Sequence, residues 1–322
     1  MPRELLLLRH GKSDWKADAD DFHRPLKDRG KRGAQRIGVW LLQQALIPDL
    51  VIASPAERAL VTAEKCCKVM GIPASRIQPD DRVYLADPER LMEVLADCPA
   101  EARRVLLVGH NPGLEMLLEH LADQPPSIPP DGKLLPTATL ARLQVSGSWQ
   151  SLDRGQARLT QVLRASSLPK KFPFPAPDGE ESRDRPAYYY TQSSVIPYRV
   201  GKNGVEILVV RSSQNKHWVV PKGIAEPGLS LQDSAAKEAL EEAGVEGRVL
   251  EEPIGSYRCA KWGATCTVTV YPMEVSRELT EQEWEEDHRG REWVAASKAA
   301  GMLRQTELGP LVLALEERLN KA

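Results

Sequence analysis

The sequence predicts an α/β protein in two domains, and three observations carry that prediction. The first half of the 322-residue chain alternates short apolar runs with amphipathic helical stretches. Near the middle, Leu168 to Pro186 (LPKKFPFPAPDGEESRDRP) is rich in proline and charge and has no apolar periodicity. Beyond it, Lys237 to Val245 (KEALEEAGV) sets three carboxylates on one face of a helix. The domains are expected at 1–168 and 191–322, joined by a partly extended linker over 169–190.

Bulk properties narrow the function classes. A net charge of −2 leaves no basic footprint for a nucleic-acid polymer or an anionic membrane. The N-terminal apolar run, Leu5 to Leu8, is too short for a signal peptide or a membrane span. The five cysteines, at positions 66, 67, 98, 259 and 266, form no CxxC pair, so neither zinc nor a disulfide framework is expected. Their usage fits a reducing cytoplasm.

The first half reads element by element. LLLL (5–8) is a buried strand, and a helix follows from about Lys27 to Gln44 with Ile37, Trp40 and Leu41 on one stripe. LVIA (50–53) is a second strand. Pro55 to Met70 is a helix opened by Ser54-Pro55-Ala56-Glu57, a capping box with proline at the first helical position. VLLV (105–108) is a further strand, followed by a helix from about Gly113 to Leu121. Uniformly apolar strands alternating with helices imply a mainly parallel sheet covered on both faces.

Three motifs follow three of these strands directly: Arg9-His10-Gly11, Ser54-Pro55-Ala56-Glu57-Arg58, and Gly109-His110-Asn111-Pro112-Gly113. In a parallel sheet such points share the carboxyl edge, where ligands bind. That edge would collect two histidines and two arginines beside helix N-termini, a set suited to a phosphate dianion. Taken singly, a histidine after a strand is more often a structural hydrogen bonder.

This half resembles the histidine phosphatase superfamily, and most of all its small SixA-type phosphohistidine phosphatases. The resemblance runs from Leu5 to about Leu168 through LLLLRHGKSDW, RPLKDRG (24–30), DLVIASPAERALVTAE (49–64) and VLLVGHNPGLE (105–115). It implies a three-layer α/β/α domain in which His10 is the nucleophile. Arg9, Arg58 and His110 hold the phosphoryl group, with Asn111 among the substrate-binding residues. A neutral imidazole would attack phosphorus and form a phosphohistidine that water then hydrolyses, with no cofactor. Larger members carry a glutamate acid near Val83 to Ala86. The match here is Ala86, with Asp87 and Glu89 nearby, which favours substrates with good leaving groups such as phosphohistidine.

In the second half, HWVVPKG (217–223) reads as a short buried strand running into a turn, with Trp218 in the core. A helix follows. Ser230 and Asp233 form its N-terminal capping pair, and Gly244 its left-handed C-terminal cap. Ala235, Ala236, Ala239 and Leu240 are its packing residues. Glu238, Glu241 and Glu242 fall at i, i+3 and i+4. Like charges so placed cost a few tenths of a kcal/mol per pair. A hard divalent cation would turn that cost into binding. An ordinary solvated helix face is the competing account of the charges alone.

The window Gly223 to Val245 (GIAEPGLSLQDSAAKEALEEAGV) resembles the Nudix box, G-x5-E-x7-R-E-U-x-E-E-x-G-U, where U is bulky and apolar. Gly223, Glu238, Glu241, Glu242, Gly244 and Val245 match. Leu229 replaces the first Glu, Lys237 the Arg, and Ala239 a bulky residue. The resemblance implies an α/β/α sandwich with a mixed sheet. Mg²⁺ or Mn²⁺ would be held by Glu238, Glu241, Glu242 and the carbonyl of Gly223. One glutamate would act as base, and Glu241 is taken as catalytic. Residues 195–223 and 290–303 are similar to the diphosphoinositol polyphosphate and diadenosine polyphosphate hydrolases, which makes Arg199, Arg211 and Lys222 candidate phosphate contacts. The acidic stretch Glu281 to Asp287 is a candidate source of a further metal ligand.

The expected function is therefore a bifunctional phosphohydrolase. A metal-dependent half would act on a small-molecule polyphosphate. A metal-independent half would act on a phosphomonoester or a protein phosphohistidine. Two alternatives stand beside it: a MutT-like enzyme clearing oxidised nucleotides, and a regulatory polyphosphate-binding module with a degenerate metal site.

Overall fold

The computed structural model describes residues 3–176, 179–202, 204–284 and 286–321. The chain divides into two compact units, Met1–Phe172 and Pro173–Ala322.

In the first unit the order is β1 (Arg3–Arg9), α1 (Asp28–Gln43), β2 (Leu50–Ala53), α2 (Glu57–Val69), β3 (Ile77–Pro79), α3 (Pro88–Ala96), β4 (Arg104–Gly109), α4 (Gly113–Leu121), β5 (Thr139–Val145) and β6 (Ala157–Arg164). The sheet runs β3-β2-β4-β1-β5-β6. β1, β2, β3 and β4 are parallel, as the apolar runs imply, while β5 and β6 add an antiparallel edge.

The alternation of a strand explains why LLLL is buried throughout. Leu5 and Leu7 join one core with Leu91 and Leu95 of α3 and Leu114, Leu117 and Leu118 of α4. Leu6 and Leu8 join a second core with Ile37 and Leu41 of α1 and Ala59, Ala63 and Cys66 of α2. The sheet is thus covered by helices on both faces.

The expected capping box at Ser54 is not what opens α2. The N-cap is Ala56, which has no side chain to cap with, and the Glu57 N–H donates to the Phe22 carbonyl at 3.0 Å. The Ser54 hydroxyl lies within 2.8 Å of His110 Nε2 and accepts from Ala56 N, just outside the helix, at 3.3 Å. Within the helix itself a loop carbonyl is the acceptor of the Glu57 N–H, which ties the loop at Phe22 to the start of α2.

The second unit contains β7 (Phe172–Ala176), which begins at the unit boundary, and β8 (Gly179–Arg183). These pair as a small ribbon in the segment expected to be a plain linker. Then follow β9 (Thr191–Gly201), β10 (Gly204–Arg211), β11 (Trp218–Val219), β12 (Lys222–Ile224), α5 (Leu231–Ala243), β13 (Val245–Val249), β14 (Gly255–Lys261), β15 (Ala264–Glu278), β16 (Arg291–Ala295), α6 (Ala296–Met302) and α7 (Leu308–Asn320). The sheet order is β11-β10-β9-β15-β13, with β12 also on β9, β14 on β15 and β16 on β10. It is mixed, since β9 is parallel to β15 and antiparallel to β10 and β12.

Successive residues of β9 again serve opposite faces. Val195 packs with Ala235, Ala239 and Ala243 of α5, and Ile196 packs with Ala299 of α6 and Val312 of α7. The small residue at 239, a departure from the box, is fully buried on the face that meets the sheet. Three alanines at that spacing let the helix backbone approach closely. Leu240, expected to pack, is instead 38 % exposed. Trp218 is half-buried at the rim of the second unit's core, with the Arg211 guanidinium 3.9 Å above its ring. Ser230 Oγ accepts from Asp233 N at 3.0 Å, and Gly244 is left-handed at φ 59°, so both caps of α5 are as expected. Among the described residues, no helix is long and apolar enough to cross a membrane.

Candidate active sites

The two candidate sites lie one in each unit. In the first, β1 ends at Arg9, β2 at Ala53 and β4 at Gly109, with Arg9 opposite Gly109 and Ala53 opposite Val108. The three motifs therefore emerge at one level of one sheet edge. His10 and His110 come together there, with ring centroids 5.1 Å apart.

The tautomer of His10 follows from its partner. Nδ1 lies 2.8 Å from the Gly11 carbonyl, which only accepts, so Nδ1 carries the proton and Nε2 keeps its lone pair. The ring is 8 % exposed. Burial, together with the nearby cations of Arg58, Arg9 and Arg24, outweighs the Gly11 bond and brings its pKa down to about 4. His110 is lowered to about 3 by burial, His10 and Arg58. Both rings are thus neutral at neutral pH. An NMR titration of the free protein is expected to find His10 neutral until the pH falls to about 4; protonation near the ordinary 6.5 would contradict the environment described.

The backbone fits tightly beneath these side chains. A Cβ on Gly11 would stand 2.7 Å from the Gly30 carbonyl oxygen, and one on Gly113 2.0 Å from that of Ala86. Gly11 N donates to Thr62 Oγ1, which in turn donates to the Arg58 carbonyl. This chain links the β1 turn to α2.

Arg58 is 2 % exposed. Its Nη2 meets Asp21 Oδ2 at 2.8 Å, and its Nη1 donates to the Asp21 carbonyl. Arg9 donates through Nη1 to the Leu135 carbonyl at 2.7 Å, and Asn111 Nδ2 donates to the same oxygen at 3.0 Å. Several buried polar atoms of the cradle have no protein partner: Nε of Arg9, Nε of Arg58, Nδ1 of His110 and Oδ1 of Asn111. Unsatisfied buried donors beside a neutral histidine suit an incoming oxyanion.

Asp21, Arg24 and Tyr84 also belong to this cradle and were not singled out in the sequence. Asp21 Oδ1 meets Arg24 Nη2 at 2.9 Å, and Tyr84 Oη donates to Asp21 Oδ2 at 2.7 Å. Arg24 stands in RPLKDRG, a segment carried by the resemblance. Tyr84 lies in the Val83–Ala86 loop that the resemblance pointed to, and Asp21 had no motif to mark it. Asp87 instead caps α3 by accepting from Arg90 N at 2.8 Å.

In the second unit, β12 delivers Gly223 to the helix α5. A Cβ on Gly223 would fall 1.6 Å from Glu238 Oε1, so only a glycine leaves room for that carboxylate as it lies. Glu238 is pushed up to about 7 by burial, then by Glu242 and Glu241. Glu242 accepts from Lys222 N at 2.9 Å and pairs with Arg289 Nη1 at 2.9 Å; burial raises its pKa against these two partners. Glu241 lies 3.3 Å from Lys237 Nζ, which also reaches Glu226 at 3.7 Å.

A carboxylate whose pKa is raised by burial and then by two like neighbours forms with them a donor set that a hard cation fits. Among the described residues, no three acidic, histidine or cysteine groups already converge on one point. Glu241 turns to Lys237 and Glu242 to Arg289. Gly223→Ala tests the cradle. The clash is with the end of a flexible side chain, so the fold should survive while Glu238 is displaced. Mn²⁺ affinity by calorimetry is expected to fall by about 10- to 100-fold with little change in melting temperature.

The other expected contacts are Arg199, Lys222 and the acidic stretch. Arg199 pairs with Glu206 at 2.7 Å and Glu278 at 3.4 Å. It is six residues along β9 from Ser193, the partner of Gly223, or about 20 Å. Lys222 is adjacent to Gly223, and its backbone serves Glu242. In the acidic stretch, Glu285 lies outside the described residues. Glu286 pairs with Arg289 at 2.6 Å, and Trp284 Nε1 donates to the Glu241 carbonyl at 3.0 Å. Glu226 and Arg289 were missed. Glu226 stands three residues after Gly223, but Arg289 is 47 residues from Glu242 and had no local signal.

Fold and sites together define a hydrolase of two phosphate-handling domains. The NUDIX domain model matches residues 191–311, and the histidine phosphatase superfamily (branch 1) model matches residues 5–83. Nudix hydrolase 12, mitochondrial, of Arabidopsis thaliana is 30 % identical over 147 residues, covering 38 % of this chain and 71 % of that protein. The chain belongs to the Nudix hydrolase family through its second half, and its first half carries the histidine phosphatase superfamily match over residues 5–83. An uncharacterized protein of Mycobacterium tuberculosis is 30 % identical over 156 residues, 47 % of this chain and 96 % of that one. A structure assigned as the phosphohistidine phosphatase SixA of Agrobacterium tumefaciens is 31 % identical over 51 % of this chain and 99 % of its own, with a TM-score of 0.41.

Proposed function

We propose that the first domain is a metal-independent phosphatase working through a phosphohistidine on His10, and that the second cleaves a phosphoanhydride with Mg²⁺ or Mn²⁺. The observation that carries the first reading is the hydrogen bond from His10 Nδ1 to Gly11, which frees Nε2 in a cradle of buried, partly unsatisfied cations. Arg9, Arg58 and His110 would hold the phosphoryl oxygens, with Asn111 beside them. Its substrate is a phosphomonoester or a protein phosphohistidine.

In the second domain, Glu238, Glu241, Glu242 and the Gly223 carbonyl would hold the cation, which supplies an activated water and neutralises charge on the leaving phosphate. A nucleoside or inositol polyphosphate is the substrate class. Oxidised nucleotides belong in the same panel. The cysteine usage, with no CxxC pair, supports a cytoplasmic setting.

The deciding experiment is a panel of dinucleoside polyphosphates, inositol pyrophosphates, oxidised dGTP, p-nitrophenyl phosphate and a phosphohistidine peptide. Each is assayed with Mg²⁺ and with EDTA. Phosphomonoester or phosphohistidine turnover should persist in EDTA, and anhydride turnover should vanish. Loss of both in EDTA would sink the two-site reading.

A further inference from the structure

We infer that Asp21 is a catalytic residue of the phosphatase domain, the group that protonates the leaving oxygen and then activates the attacking water. The inference rests on the reading of His10 as nucleophile. Attack by a neutral imidazole on a phosphate ester expels an alkoxide or phenoxide unless a proton is delivered to it.

The geometry selects the donor. His10 and Arg58 form the closed floor of the site, at 8 % and 2 % exposure. In-line attack from Nε2 puts the leaving oxygen on the side of phosphorus away from His10, at the open mouth. The Asp21 side chain is at that mouth, 45 % exposed, and touches three cradle groups: Arg58 at 2.8 Å, Arg24 at 2.9 Å and Tyr84 at 2.7 Å. Its backbone is held beside α2 through Phe22 and Arg58. The other carboxylates of these loops are bonded away from the cradle arginines, Asp20 to His23 at 2.9 Å. Glu115 accepts from Leu135 N at 2.7 Å, and Asp87 caps α3.

At rest the Tyr84 hydroxyl and the two guanidinium groups hold the Asp21 carboxyl below its ordinary range. A bound phosphoryl group changes that balance. It competes for Arg58 and Arg24 and brings two negative charges close, so Asp21 takes up a proton as substrate binds. In the first step the His10 Nε2–P bond forms and the P–O bond breaks. The Asp21 proton passes to the ester oxygen, which leaves as the neutral alcohol. In the second step the Asp21 carboxylate takes one proton from water as its oxygen attacks phosphorus. The N–P bond breaks, the electron pair returns to Nε2, and phosphate leaves.

The test compares two aryl phosphates in the full-length protein in EDTA. Asp21→Asn is expected to lower kcat/KM for phenyl phosphate, a poor leaving group, by about 10²- to 10⁴-fold. For 2,4-dinitrophenyl phosphate, which leaves unaided, the loss should stay under about tenfold. Equal losses on both substrates, or no loss on either, would overturn the assignment of Asp21 and leave His10 untouched. Turnover of both substrates by His10→Ala would instead overturn the underlying reading.

Discussion

Replacing His10 with alanine is expected to lower phosphomonoester turnover in EDTA by on the order of 10⁴-fold or more, because it removes the atom that becomes bonded to phosphorus. Burial and the surrounding arginines make that nitrogen a permanent lone pair at neutral pH. They also mean the site does not depend on deprotonating its nucleophile. A phosphoenzyme should be trapped by acid quench with labelled substrate in the natural protein and be missing from the variant. Arg9, Arg58 and His110 remain in His10→Ala, so vanadate binding should weaken far less than turnover. That contrast separates a lost nucleophile from a collapsed site. Turnover within tenfold of the natural protein would remove His10 from the chemistry. Anhydride cleavage with Mg²⁺ should be unchanged, since Glu238, Glu241 and Glu242 belong to the other unit.

Much of this arrangement was legible because the informative residues sit next to strong local signals. Apolar strands fixed β1, β2 and β4, and a motif directly after a parallel strand has one place to go. The caps of α5 were readable for the same reason: Ser230 and Gly244 act within a turn of themselves. What escaped was whatever depends on distant pairing. β5 and β6 close the first sheet by antiparallel contacts with no short apolar run to mark them. Asp21 matters only because a loop folds back on α2 through the Phe22 carbonyl. Ser54 looked like a cap by spacing, yet its hydroxyl reaches only Ala56 N, ahead of the helix, and His110, 56 residues away. Arg199 had the right charge, but strand register placed it far from the box.

The imperfect box makes Glu241→Gln the sharpest test of the second domain. Its loss is expected to reduce Mg²⁺-dependent anhydride cleavage by about 10²- to 10⁴-fold, as removal of a metal ligand or base does. Two features argue for a degenerate site. Leu229, 45 % exposed, stands where the box has a carboxylate, and Glu241 is engaged by Lys237 at 3.3 Å. Against them, Lys237 also reaches Glu226, so a second carboxylate lies near the pair. A lysine makes a point contact where arginine would fork. The Lys237–Glu241 pair is more than two-fifths exposed on both sides, so it stabilises the fold by less than about 1 kcal/mol. A divalent cation can displace it at small cost. The substitution should therefore leave the melting temperature nearly unchanged while Mn²⁺ affinity falls. If the natural protein binds polyphosphate but shows no Mg²⁺-dependent turnover for Glu241→Gln to remove, the domain is a binding module. If turnover is present and lost in the variant, Leu229 and Lys237 alter the rate and leave the chemistry in place.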